Sequence, residues 1–142
     1  MLDLKALLAK ILTFCSNVGV TKSHIPDAIS CATGRYYQAA YLTLEAGVWL
    51  IDMQGLFPPT NATGVRDIRC TIATSGYNNV TTAPPTYANI TVNRHVGANI
   101  NQYVSSHFPV RISETTTFRL IVEQNSGSTM SVTGRMYATR LR

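Results

Sequence analysis

The strongest constraint on the fold is a pair of alternating segments at the end of the sequence, between residues 115 and 142. Every second residue is small or apolar in both halves; the two sets are Phe118, Leu120 and Val122, then Met130, Val132, Gly134, Met136 and Ala138. Residues 125–128, Asn-Ser-Gly-Ser, separate the halves. A period of two on both sides of a turn predicts a β-hairpin with one buried face. Because such a hairpin cannot stand alone in water, the preceding chain must cover it with a second sheet.

Short alternating segments with turn residues between them continue this pattern back to Tyr36. They cover residues 37–44, 48–53, 67–72, 87–94, 99–104 and 110–112. Cys70 shares the apolar side of its segment with Ile68 and Ile72, which predicts a buried thiol. Together with the closing pair this makes eight strands, the number in a double-sheet jelly roll. We therefore predict an all-β, eight-stranded antiparallel jelly-roll sandwich over residues 36–142.

An amphipathic helix is predicted before this body. Apolar residues recur at spacings of three and four, namely Met1, Leu4, Leu8, Ile11, Cys15 and Val18, and Leu7, Leu12 and Phe14 widen the stripe. The division predicted is a helix over 1–19, a polar linker over 20–35 and the head over 36–142. The helix needs a partner, and two remain open: its own domain, or other copies of the chain around an axis.

Composition argues against several functional classes. The net charge of +5 has no clustered basic run, so we expect no nucleic-acid partner. Three cysteines and three histidines show no ligand spacing, so neither a metal nor a cofactor is expected. The seven acidic residues are dispersed and no nucleophile motif is present, which favours a non-enzymatic protein without catalytic residues.

Three short pieces of the sequence carry a family resemblance. They are Gly47 to Ile51, the set Phe118, Leu120, Val122, Gln124 and Gly127, and Val132 to Met136. In this order they resemble strands of the tumour necrosis factor-like and complement globular-head jelly rolls, a group that includes heads of bacteriophage fibres and appendages. The opening helix is similar to those that precede small heads encoded in prophages.

The resemblance implies a homotrimer in which the outer face of one sheet from each protomer packs about a three-fold axis. Ten residues are candidates for this interface: Leu4, Leu8, Ile11, Val18, Tyr37, Tyr41, Trp49, Tyr103, Arg135 and Tyr137. The aromatic members combine large burial with a low entropic cost. The alternative for them is an ordinary place in the core or on the surface.

Loops at the end of a rigid sandwich usually present binding residues. The candidate ligand contacts are Tyr77, Asn78, Asn79, Tyr87, Arg94 and His95, because aromatic faces with amide and guanidinium donors suit sugars or anionic polymers. The predicted ligand is a host cell-surface polysaccharide.

The resulting functional hypothesis is a trimeric structural or receptor-binding head of a phage or prophage tail fibre. No apolar run reaches membrane-spanning length, and Asp3 and Lys10 argue against a signal peptide, so we expect no membrane partner. Synthesis in a bacterial cytoplasm and association with a virion are expected. Two alternatives remain: a secreted ligand like tumour necrosis factor or complement, and a purely structural virion decoration protein.

Overall fold

The computed structural model describes residues 3–58, 67–76, 78–81, 88–92 and 102–142. These residues form one helix and ten strands. The elements are α1 (Leu4–Asn17), β1 (Thr21–His24), β2 (Ile29–Cys31), β3 (Arg35–Leu44), β4 (Gly47–Phe57), β5 (Asp67–Ala73), β6 (Asn78–Val80), β7 (Ala88–Val92), β8 (Gln102–Ile112), β9 (Thr116–Asn125) and β10 (Met130–Arg140). The predicted all-β sandwich behind an N-terminal helix is confirmed.

The strands form two antiparallel sheets. The first has the order β1-β10-β4-β8, with β2 paired to another part of β10, and the second has the order β6-β3-β9-β5-β7. The inward side chains of β4 and β10 meet those of β3, β5 and β9. Trp49, Ile51, Phe118, Leu120 and Val132 are fully buried there. Each such side chain contributes roughly 1.5–3 kcal/mol of transfer free energy, so this shared core holds the sheets together.

The predicted closing hairpin is wrong. β9 pairs with β3 and β5, whereas β10 pairs with β1, β2 and β4, so the turn at 125–128 crosses from one sheet to the other. Two strands with one apolar face each can bury those faces side by side or opposite each other across a core. Alternation alone does not distinguish these arrangements.

Two paired glycines bring the sheets unusually close together. Gly55 of β4 and Gly134 of β10 are register partners, and both face the core. A Cβ at Gly134 would lie 2.5 Å from the Cβ of Ala39, and one at Gly55 would lie 2.6 Å from the Sγ of Cys70. Since real Cβ atoms do not approach so closely, these positions exclude any larger residue without movement of the opposite sheet.

Several predicted boundaries differ from the observed ones. The segment 20–35, interpreted as a linker, contributes β1 and β2, which pair along β10. The segments predicted over 99–104 and 110–112 belong to one strand, β8, over its described length. β6 lies within the stretch 75–85 that was interpreted as a loop. The head therefore begins before residue 36, and its eight strands from Arg35 onward are not the eight that were predicted.

The helix has clear local start and stop signals. The Asp3 carboxylate accepts hydrogen bonds from the backbone amides of Lys5 and Ala6, at 3.0 and 3.2 Å, which caps the first turn. Gly19 follows the helix with φ of 80°, a conformation that glycine adopts without a Cβ penalty. The Gly19 amide then donates to the Arg140 carbonyl at 2.8 Å, which joins the segment to the end of β10. No helix in the described residues is long and apolar enough to cross a membrane.

Candidate interaction surface

The side chains of β4, β8 and β10 that point away from the core form one continuous surface, here called the outer face. Strand register sets its rows. Tyr137, Asp52 and His107 lie side by side, as do Arg135, Gln54 and Ser105, and also Thr133, Leu56 and Tyr103. Successive side chains of a strand point to opposite sides of the sheet. These residues therefore point outward together, while the residues between them point into the core.

The outer face is exposed and chemically mixed. Tyr103 is 66% exposed, the highest value among the larger apolar side chains of the described head. Gln54, Ser105, His107 and Arg135 are also exposed, whereas Asp52, Leu56 and Tyr137 are half-buried. Aromatic groups thus stand beside a carboxylate, an imidazole and a guanidinium on one surface. Such a mixture is typical of a protein interface.

A concavity lies where β4 and β8 run side by side on this surface. It has a volume of about 350 Å³ and is lined by Asp52, Met53, Gln54, Ser105, Ser106 and His107. Its polar groups are a carboxylate, an amide, hydroxyls and an imidazole, which can exchange hydrogen bonds with a partner side chain or a sugar hydroxyl. A second depression beside Tyr103 and Arg135 has only about 10 Å³, which is no more than the space of one water molecule.

Ser105, His107 and Asp52 are the residue types of a hydrolytic triad, but they are not joined as one. Catalysis of that kind needs the base to hydrogen-bond both the nucleophile and the orienting carboxylate. Within the described part of the chain, no hydrogen bond connects Ser105 to His107 or His107 to Asp52. The same residues contain no group of three or more His, Cys, Asp or Glu that could hold a metal ion. In the described residues, the outer face thus holds hydrogen-bonding groups that are not joined into a nucleophile and base pair.

Three of the ten predicted interface residues meet on the outer face. Tyr103, Arg135 and Tyr137 come from β8 and β10, which are separated only by β4. Leu4, Leu8 and Val18 are exposed on and just after α1 and do not belong to β4, β8 or β10, and the side chain of Ile11 is outside the described set. Tyr41 is exposed on the second sheet, where its ring lies 4.3 Å from that of His24.

Two other interface candidates belong to the core of the protomer. Trp49 is 0% exposed, and its indole donates to the Glu45 carbonyl at 3.0 Å. Tyr37 is buried too; its hydroxyl accepts from the Ala32 amide at 3.1 Å and donates to the Asn79 side chain at 2.9 Å. Neither ring has surface left for a neighbour. Trp49 faces inward with the alternate residues of β4, whereas Tyr37 lies in an irregular part of β3 where Tyr36 is buried as well.

The predicted ligand contacts are only partly placed. Asn78 and Asn79 are exposed on β6, while Tyr77, Tyr87, Arg94 and His95 lie outside the described residues. Asn79 has a structural task, since it binds the Tyr37 hydroxyl, its carbonyl accepts from Arg35 at 3.1 Å and its φ is 58°. Of the pair, Asn78 is therefore the better candidate for an external ligand.

Sequence reasoning missed the polar residues of the outer face. Asp52 and His107 were considered only as dispersed titratable groups, and Gln54 and Ser105 were not singled out. The sequence does contain a signal, because Tyr103, Ser105 and His107 are alternate residues of the segment 102–112 and so lie on one side of a strand. Ending the strand at Val104 concealed it, because Ser, His and Pro in succession are typical of a loop.

Comparison with known proteins defines the fold more closely. No protein-family model and no curated protein matches the chain. Among solved structures, the infectious bursal disease virus VP2 subviral particle is similar over 86% of this chain and 33% of that one, with 13% identity and a TM-score of 0.60. This chain thus spans about a third of the viral chain's length.

Two smaller proteins match over nearly their whole length. Eiger TNF from S. frugiperda has a TM-score of 0.51 at 9% identity, covering 88% of this chain and 94% of that one. The globular domain of zebrafish complement 1qA has a TM-score of 0.52 at 11% identity, covering 86% and 97%. The chain therefore has a tumour necrosis factor-like jelly-roll fold, as the sequence resemblance implied.

Proposed function

We propose that this chain is a non-enzymatic, self-assembling structural head of a virion or prophage appendage, and that it forms a homotrimer through the outer face. The observation that carries the proposal is the row in which the exposed Tyr103 lies beside the half-buried Leu56 and Thr133, next to the polar groups of β4 and β8. The similarity in fold to a viral capsid protein supports an assembly role.

Charge on the outer face suits contact between copies. Asp52 is half-buried in the same surface as the exposed His107, Arg111 and Arg135. Copies related by a rotation axis bring different parts of this surface together, so a carboxylate of one protomer can meet a cation of the next. Tyrosine and arginine are also residue types that carry much of the binding energy at interfaces.

Light scattering on the full chain tests the assembly. We expect the mass of three protomers, and we expect Tyr103→Asp to reduce it to one, because a carboxylate would be buried at the contact. Thr129→Asp, at an exposed position outside β4, β8 and β10, is the matched control and should keep the trimer. A monomeric parent chain, or a trimer unaffected by Tyr103→Asp, would contradict the proposal.

The finer proposal is a receptor-binding role in a tail fibre, with host-surface polysaccharide bound through loop residues. Asn78 supports it, as an exposed amide at the edge of the second sheet. Three weak sites on one axis would act through avidity. Alanine replacement of Tyr77, Asn78, Asn79, Tyr87, Arg94 and His95 together should abolish glycan-array binding while the trimer persists. If no glycan signal appears with the parent trimer, the purely structural role in a virion is favoured.

A further inference from the structure

The apolar surface of α1 is broader than the seam of a coiled coil. At about 100° per residue, Leu7, Leu4, Leu8 and Leu12 span an arc of about 140° around the axis. The seam of a two-stranded coil needs only every third and fourth residue. The flanking positions beside that seam here hold Lys5, Leu7, Leu12 and Phe14, where coiled coils usually place complementary charges.

This surface is uncovered in the protomer. Leu4, Leu8 and Leu12 are 74%, 56% and 61% exposed, and Leu7 is exposed as well. Every described side chain between Leu4 and Lys10 is exposed, so the head does not bury this part of the helix. Leaving several leucines in water is unfavourable by about 25 cal/mol for each Å² of apolar surface, which a suitable partner would recover.

The charges of α1 define the partner. Lys5 and Lys10 lie on opposite borders of the apolar arc, and residues 4–17 contain no aspartate or glutamate. Helices from other copies of this chain would offer these lysines no carboxylate within residues 4–17. An anionic surface that buried the leucines could instead pair with both ammonium groups, because the long lysine side chains can extend to either side of the leucines.

We propose that α1 binds the surface of an anionic lipid membrane, with its axis in the plane of the interface and its leucines in the acyl boundary. A helix of 14 residues is about 21 Å long, shorter than the roughly 30 Å of a bilayer core. It therefore lies on the membrane and does not span it. The expectation of no membrane partner rested on the absence of a membrane-spanning segment, and a helix that lies on the membrane surface needs no such segment.

Vesicle flotation of the full chain tests the proposal. We expect the protein to float with vesicles of phosphatidylcholine and phosphatidylglycerol, and far less with phosphatidylcholine alone. Replacing both Lys5 and Lys10 by Gln should lower the partition coefficient on anionic vesicles about 30-fold, since each lysine near such a surface contributes about fivefold. Added salt should weaken binding of the parent chain in the same direction.

Leu8→Gln tests the apolar part, because it places an amide in the middle of the arc and should abolish flotation. Ala6→Gln adds the same side chain on the polar side of the helix and should leave flotation unchanged. Equal binding to both kinds of vesicle, or no binding to either, would overturn the proposal. If the parent chain does not bind vesicles and Leu8→Gln lowers the mass in solution, the apolar surface of α1 binds another copy of this chain, and the membrane proposal is wrong. The outer-face trimer is tested separately through Tyr103→Asp, so the two proposals can fail independently.

Discussion

Gln124 shows how one buried polar side chain can fix the path between two sheets. Its amide nitrogen donates to the carbonyls of Cys31 and Ser128, at 2.9 and 2.8 Å. Its oxygen accepts from the Ser126 amide at 2.9 Å and from the Ser126 hydroxyl at 2.6 Å. All four hydrogen-bonding positions of this 0% exposed amide are satisfied, so burial costs little and the crossover turn is held to β2.

Gln124→Met should reduce the free energy of unfolding by about 3 kcal/mol or more. The thioether preserves length but leaves several buried groups without partners, and each orphaned group costs about 1–3 kcal/mol. Urea denaturation followed by circular dichroism measures the loss. Thr129→Ala, in the same turn but exposed, should change stability by no more than about 0.5 kcal/mol. A loss below about 1 kcal/mol for Gln124→Met would show that the network is not needed.

Gly134→Ala should destabilise the fold although it adds only one methyl group. That methyl would meet the backbone carbon of Ala39 at 2.9 Å, and backbone cannot move aside as a flexible side chain can. Overpacking of this kind costs about 1–3 kcal/mol. Adding Ala39→Gly to the variant should recover part of the loss, since it removes the opposing Cβ. Additive destabilisation in the double variant would contradict close packing at this point.

At the scale of elements, strands with an apolar inner face were predictable from the sequence, but the strands they pair with were not. β4, β9 and β10 follow directly from alternation, because their inner residues are apolar almost without exception. β1 and β2 were missed, since strands of four and three residues at an edge give too few repeats of the period. The outer face was predicted only through Tyr103, Arg135 and Tyr137. Its remaining polar residues come from separate strands and become neighbours only through strand pairing, which the sequence does not reveal.

β1 also ties the two sheets together at their shared edge. The imidazole Nδ1 of His24 accepts the backbone amide of Tyr41 at 3.1 Å, although β1 belongs to the first sheet and Tyr41 to the second. Lys22 Nζ lies 2.5 Å from the Glu45 carboxylate and donates to the Thr43 carbonyl at 3.3 Å. The salt bridge lowers the pKa of Glu45. These contacts explain how so short a strand keeps its place.

His24→Phe should separate the role of the hydrogen bond from that of the ring. Phenylalanine retains the contact with Tyr41 but offers no acceptor, so we expect a loss of about 1 kcal/mol in denaturant titration. Lys22→Ala removes an exposed ion pair and should cost about 0–1 kcal/mol, less at high salt. If His24→Phe is neutral at all salt concentrations, the Tyr41 amide does not depend on the imidazole.

At the scale of the whole molecule, two surfaces in the described part of the chain combine exposed apolar side chains with charged neighbours. The outer face carries Tyr103 among polar neighbours, whereas α1 carries leucines bordered by lysines. A mixed surface suits a shape-specific contact between copies, and a uniform apolar arc suits a fluid partner such as lipid.

The stability of the whole fold should decline with alkaline pH because its core contains two thiols. Burial raises the pKa of Cys70 and of Cys31 from 9.0 to about 12. Between pH 9 and 12 these thiols stay protonated in the folded state but have released their protons in the unfolded state. Their contribution to the free energy of unfolding is therefore full below pH 9 and is lost as the pH rises toward 12. Burial and the nearby Glu123 also raise the pKa of Tyr36, so its ionisation likewise lowers stability at alkaline pH.

Urea denaturation between pH 8 and 11 measures this dependence. Over the upper part of the range, Cys70 alone should contribute a slope of about 1.4 kcal/mol per pH unit, because one unit of pKa corresponds to that free energy. Cys70→Ala should lower stability near pH 8 by opening a small cavity, but it should also remove this part of the slope, so that the two curves converge as the pH rises. The parent and the variant differ only at residue 70, so the difference between the two curves isolates the thiol. Parallel curves would mean that the Cys70 thiolate is tolerated in the core, contrary to its complete burial between β5 and the first sheet.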